Sequence, residues 1–205
     1  MTTNGVVYVI DDEETVRRSV ARLVRSVGLR VETFPSVAAF LAHKPGDHPT
    51  CLVLDVRLPS QSGLELQAAM GMRQRVMPII FITGRGNVPM SVRAMKGGAL
   101  DFLEKPFDSQ ELLDGIQRAL ERSREARAAD SERAVLDSRL AALTPRERQV
   151  LQLVVKGLLN KQIADALGAA EKTVKVHRGR VMRKMGADSV ADLVRMTQDS
   201  GLGLE

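Results

Sequence analysis

Five strand candidates recur through the first 120 residues, at 6–10, 30–34, 51–54, 79–82 and 100–103. Between and after them lie segments of helical periodicity near 13–27, 36–43, 62–72, 89–97 and 109–123. Few folds accommodate that alternation. Parallel strands need long crossover connections, and helices supply them. The pattern therefore predicts an α/β domain, a doubly wound five-stranded parallel sheet with helices on both faces. VVYVI, CLVL and IIFI are apolar at successive positions, as burial on both sides of a sheet requires. Each is far shorter than the ~20 residues of a membrane helix, so no membrane association is expected. The polar start MTTNG runs straight into the first strand and does not read as a signal peptide. Cys51 is the single cysteine, which rules out an internal disulfide and fits a reducing, cytoplasmic compartment.

The character of the chain changes after Leu120. ERSREARAADSER, residues 121–133, is dense in charge and contains neither Gly nor Pro, so 124–139 reads as a helical, solvated connector. From 140 to 205 the strand signals stop. In TPRE, Thr144 is a helix N-cap, Pro145 the first helical residue and Glu147 the partner of a capping box. Val150, Leu151, Val154 and Val155 give that helix its apolar face. A second helix, with Asn160 read as its cap and Gly168 as its stop, carries Ile163, Ala164 and Leu167 inward. A third spans about 171–185 with the stripe Val174, Val181 and Met185, and Ser189 with Asp192 begins a fourth. Short helices around a tight turn predict a small all-α helix-turn-helix domain.

Net charge is +5, and its placement matters more than its size. Residues 1–123 carry 15 basic and 14 acidic side chains, whereas residues 139–205 carry 12 and 7. The excess sits in the last third, which points to a polyanionic partner there.

Ligands of open α/β sheets bind beyond the carboxyl ends of the strands. Asp11 and Asp12 fall there after the first strand, Asp55 after the third, Thr83 after the fourth and Lys105 after the fifth. Singly, each has a structural use: Asp11 with Glu14 as a capping box, Asp55 as a turn cap, Thr83 as a strand end, Lys105 on the surface. Together they suit phosphoryl transfer. Converging carboxylates need a hard cation, for which Mg²⁺ is the natural choice. Asp55 is then a nucleophile, with Thr83 and Lys105 placed to meet the transferred oxygens and Gly84 leaving room for them.

The order VIDDEE, LVLDVRLPSQSG, FITGRG, AMKGGALDFLEKPF over residues 4–123 resembles the flavodoxin-like receiver domains of two-component response regulators. The resemblance implies Asp55 as phosphoacceptor, and Asp11, Asp12, Asp55 and the main-chain carbonyl of Arg57 around Mg²⁺. It further implies Thr83, Lys105 and Phe102 as phosphate and switch contacts, and a cis Lys105–Pro106 bond. GNVPMSVRAMKGGALDFLEKPF looks like the FixJ type, in which phosphorylation promotes a homodimer; Val92, Lys96 and Asp101 match the surface used there. Arg85 stands where a histidine is common.

In KTVKVHRGRVMRK, residues 172–184, six Lys or Arg occur without an acid. At ~100° per residue Lys172, Lys175, Val176, Gly179 and Arg183 share the face opposite the apolar stripe. Such a helix fits a major groove. With aromatics at 3% and no Trp, stacking on single strands is disfavoured against duplex. Residues 143–197 resemble the LuxR/NarL-type DNA-binding domain, implying Lys175 and Val176 on base edges and Lys161, Thr173 and Arg178 on the backbone. Gly179 stands where some relatives have lysine.

The expectation is a transcription regulator, not an enzyme, fed by a sensor histidine kinase and acting on promoter DNA with RNA polymerase. An aspartate-nucleophile phosphatase is the competing class. It usually places a second acid two residues past the nucleophile, where this chain has Arg57.

Overall fold

The computed structural model describes residues 5–59, 61–84 and 86–198, so Arg85 lies outside the described residues. Two compact units divide after Ala128.

In the first unit, strands β1 (Val6–Ile10), β2 (Arg30–Phe34), β3 (Thr50–Asp55), β4 (Ile79–Thr83) and β5 (Asp101–Glu104) form one parallel sheet in the order β2-β1-β3-β4-β5. The expected sheet is present. Burial follows position in that order. The three inner strands are buried at every residue, whereas β2, at an edge, exposes Arg30, Glu32 and Thr33. Alternate side chains feed two cores. Tyr8, Ile10, Leu52, Leu54 and Phe81 pack with α2 (Val37–Ala42), α3 (Gly63–Met70) and α4 (Val88–Lys96). Val7, Val9, Val53, Ile80 and Ile82 pack with Val20 and Val24 of α1 (Glu14–Ser26) and with Leu112, Ile116 and Leu120 of α5 (Ser109–Ala141). The helix expected at 109–123 and the charged connector after it are thus one continuous helix. Its buried Ser123 accepts the Thr50 N–H at 2.9 Å and donates to the Val76 carbonyl, pinning the helix to the sheet.

The second unit contains α6 (Pro145–Val155), α7 (Asn160–Leu167), α8 (Glu171–Met185) and α9 (Val190–Gln198). Val150, Val154, Ile163, Val174, Val181, Met185 and Leu193 form its core. The capping box exists in full: Thr144 N–H donates to Glu147 Oε2 at 2.9 Å, and Glu147 N–H to Thr144 Oγ1 at 3.3 Å. One local expectation is corrected. Asn160 is the first residue of α7, not its cap; extended Leu159 holds that place and donates its N–H to Gln162 Oε1 at 2.8 Å. The Asn160 amide oxygen is engaged elsewhere, by Arg178 of α8 at 3.0 Å. Gly168 ends α7 at φ +59°, a conformation that costs glycine little, and so sets the tight turn into α8.

Candidate functional site

All five strands present their carboxyl ends at one edge of the sheet. Because Ile10 pairs with Leu54, Asp11 comes to lie beside Asp55. Both are buried, Asp11 completely. Lys105 follows β5, two strands away, and its side chain reaches back across the end of β4. Its Nζ stands 2.6 Å from Asp11 Oδ2 and 2.7 Å from Asp55 Oδ2, with a Glu13 carboxylate oxygen at 3.8 Å. The second oxygen of each acid is held by main chain: Glu13 N–H donates to Asp11 Oδ1 at 2.9 Å, and Arg57 N–H to Asp55 Oδ1 at 2.8 Å. Lys105 N–H in turn donates to the Thr83 carbonyl at 2.7 Å, and Lys105–Pro106 is cis.

Burial pushes the Asp11 carboxyl above the ordinary carboxylate range, against the pull of Lys105 and of the Glu13 N–H. Burial also works against the Lys105 ammonium, but its bonds to Asp11 and Asp55 outweigh that and raise its pKa. Asp12 is exposed, yet one oxygen each of Asp11, Asp12 and Asp55 fall within 4.8 Å of one another. Anionic oxygens at that spacing, two of them buried and one in water, fit a small hard cation that keeps part of its hydration.

Thr83 is fully buried at the end of β4, and the exposed Gly84 after it has open space around it. A methyl added at Gly86 would lie 3.2 Å from the Thr83 methyl and 3.3 Å from the Phe102 ring. Gly86 therefore passes close to both residues, with no room for a side chain to be added without a shift. Phe102 is half-buried, its ring centroid 6.3 Å from that of Phe81. On α4, Val92 and Lys96 are exposed, and Val88 and Met95 extend the apolar stripe beyond what sequence reasoning named. Val88, Val92 and Met95 recur at i, i+4 and i+7, a spacing that the sequence alone reads as a buried face, yet on that helix only Ala94 is buried. Asp101 is half-buried and bonded to Arg118 at 2.7 Å.

Along α8 the run of basic residues separates into two groups. Lys172, Lys175, Arg180 and Arg183 are exposed, together with Thr173, Val176 and Gly179, as is Lys161 on α7. Arg178 is half-buried on Asn160, and Lys184 is tied to the buried Glu147 carboxylate at 2.7 Å and to the Ala142 carbonyl at 2.9 Å. Lys184 and the amide backbone at Thr144 hold the Glu147 carboxyl down at about 2. Sequence reasoning missed these inward pairings, because they depend on contacts 18 and 37 residues away.

A doubly wound sheet with an acidic pocket at its carboxyl edge, joined to a helix-turn-helix, defines a receiver with a DNA-binding output unit. Comparison with known proteins agrees. The response regulator receiver domain family matches residues 7–117, and the luxR family of bacterial regulatory proteins matches residues 141–197. Nodulation protein W of Bradyrhizobium diazoefficiens is 51% identical over 201 residues, covering 98% of this chain and 88% of that protein. The transcriptional regulatory protein FixJ of Azorhizobium caulinodans is 47% identical, covering 96% and 93%. Among solved structures, the response regulator StyR superposes with a TM-score of 0.87 at 47% identity, covering 95% of this chain and 98% of that one. The chain belongs to the response regulators that couple a receiver to a luxR-type DNA-binding domain, and is a two-component regulator of transcription.

Proposed function

We propose that the chain is a cytoplasmic regulator whose residues 1–123 accept a phosphoryl group on Asp55 from a sensor histidine kinase, and that this promotes a homodimer through the surface around Val92, Lys96 and Asp101. The dimer binds promoter duplex through residues 140–205 and acts with RNA polymerase, while 124–139 connects the two. In the transfer, an Asp55 carboxylate oxygen bonds to phosphorus as the phosphorus–nitrogen bond of the donor phosphohistidine breaks, and the imidazole leaves with the electron pair. Asp11, Asp12, Asp55 and the Arg57 carbonyl are the residues to hold Mg²⁺, which when bound neutralises carboxylate and phosphoryl charge. Lys105 supplies a fixed positive charge at the same oxygens, and Thr83 a hydroxyl. Beside Lys105 and Gly84 opens a groove of about 830 Å³ whose walls mix Val16, Leu23 and Phe107 with Glu13, Thr15 and Arg22, a partly apolar seat for the donor.

The observation carrying this reading is the Lys105 ammonium bridging Asp11 and Asp55 with the Asp12 carboxylate adjoining. The test is to treat the full chain with acetyl phosphate, with and without Mg²⁺, and follow its mass by light scattering. Dimer that forms only with both reagents, and is lost in Asp55→Asn, is expected. Dimerisation that persists in Asp55→Asn refutes the assignment.

A further inference from the structure

Two acids of the pocket are locked and one is not. Asp11 and Asp55 each have one oxygen on Lys105 and the other on a backbone N–H. Among the described residues, no hydrogen bond reaches the exposed Asp12 carboxylate, so its position comes from its main chain. The following helix does not secure that main chain in the usual way, because Glu13, at the N-cap, makes no side-chain capping bond. Arg17 does so instead. Its Nη1 donates to the Asp11 carbonyl at 2.7 Å and to the Asp12 carbonyl at 2.9 Å, from a half-buried position one turn into α1. One guanidinium nitrogen carries two protons in a fixed plane and so spans two successive carbonyls.

We infer that Arg17 is a positioning residue of the divalent-cation site: by fixing these two carbonyls it sets the Asp12 carboxylate against the Asp11–Asp55 pair. The inference rests on the Mg²⁺ reading above. Two effects of the guanidinium oppose each other. Its charge repels an incoming cation, while its bonds order the ligand loop. A partly solvated charge is screened by water and salt, whereas loss of a partner that orients a metal ligand weakens binding about 10–100-fold. Ordering therefore dominates.

Mn²⁺ binding to the full-length chain, followed by loss of the free-ion electron paramagnetic resonance signal with Mg²⁺ as competitor, tests this. Arg17→Met should bind about tenfold more weakly than the natural chain. Arg17→Lys, which keeps the charge and one bond, should recover part of that loss. Binding by Arg17→Met as tight as the natural chain, or tighter, overturns the inference. Should Arg17→Met fail to fold, Arg17→Lys decides: weaker binding at an unchanged urea midpoint supports the role, and unchanged binding overturns it. If the natural chain itself binds no divalent ion, the Mg²⁺ reading falls and takes this inference with it, an outcome distinct from failure of the variants alone.

Discussion

In the receiver unit, side chains from positions 11, 12, 55, 83 and 105 are gathered at one edge of the sheet, and most of them are out of water. In the helical unit, most of the candidate contacts lie between Lys172 and Arg183 on a single helix, almost all exposed. The first arrangement exists only while the sheet is intact; the second needs little beyond a helix and a surface to lean on. Charge accordingly acts differently in the two. Opposite charges in the pocket face each other at 2.6–2.7 Å with little solvent between. Lys172, Lys175, Arg180 and Arg183 of α8 stand in water, where salt screens them. Folding and function are coupled tightly in one unit and loosely in the other.

The harshest challenge to that contrast is Lys105→Met. It leaves two buried carboxylates facing each other, and lost bonds to charged groups cost about 2 kcal/mol. The full cost of about 3–5 kcal/mol for a sealed ion pair is not expected, because the Lys105 side chain keeps some contact with solvent. Urea unfolding of the receiver transition should register the loss, and added Mg²⁺ should return part of it. No exposed lysine of α8 should approach that cost.

Glu147 is the exception inside the second unit, a buried acid on Lys184, and Glu147→Gln sharpens the contrast. Its folded pKa lies below the unfolded value of 4.5, so its stabilisation is present above about pH 4.5 and is lost as pH falls toward 2. Thermal melts should find Glu147→Gln less stable than the natural chain at pH 7, with the gap closing across that window. A gap that stays constant through it would mean that the carboxylate's charge is not what matters.

Arg178 and Lys161 separate inward from outward charge more finely. If Lys161 meets a phosphate, Lys161→Met lowers the salt slope of DNA affinity by about one. Arg178→Met should change that slope less, since its Nη1 is bonded to Asn160, and should couple with Asn160→Ala in a stability cycle by about 0.5 kcal/mol or more. The smallest effect belongs to Gly179. An added methyl there meets nothing within 4 Å, so Gly179→Ala should stabilise the domain by about 0.5–1 kcal/mol. If the glycine serves close approach to DNA, operator affinity falls in the same variant.

Much of this was legible in the chain before any coordinates. The strands announced themselves because three of them are buried on both faces and so carry the unbroken apolar runs VVYVI, CLVL and IIFI. The pocket was legible because each of its residues is fixed to a strand end, so its order along the chain encodes its place in space. What escaped were pairings without a periodic signature. Nothing in NKQIADALG says that Asn160 turns from the cap toward Arg178, and nothing in ETVRRSV separates Arg17, folded back on the acidic loop, from Arg18, which pairs with Glu14 on the surface at 2.6 Å. The basic run on α8 overstated its outward charge for the same reason, as two of its six members face the domain.

Most directly at issue is where phosphorus ends up. After incubation with acetyl phosphate and Mg²⁺, borohydride reduction converts an aspartyl phosphate to homoserine, and peptide mass spectrometry locates it. Homoserine at position 55, and only when Mg²⁺ was present, is the result the acidic pocket predicts. Homoserine at another aspartate, or none with the metal supplied, contradicts it.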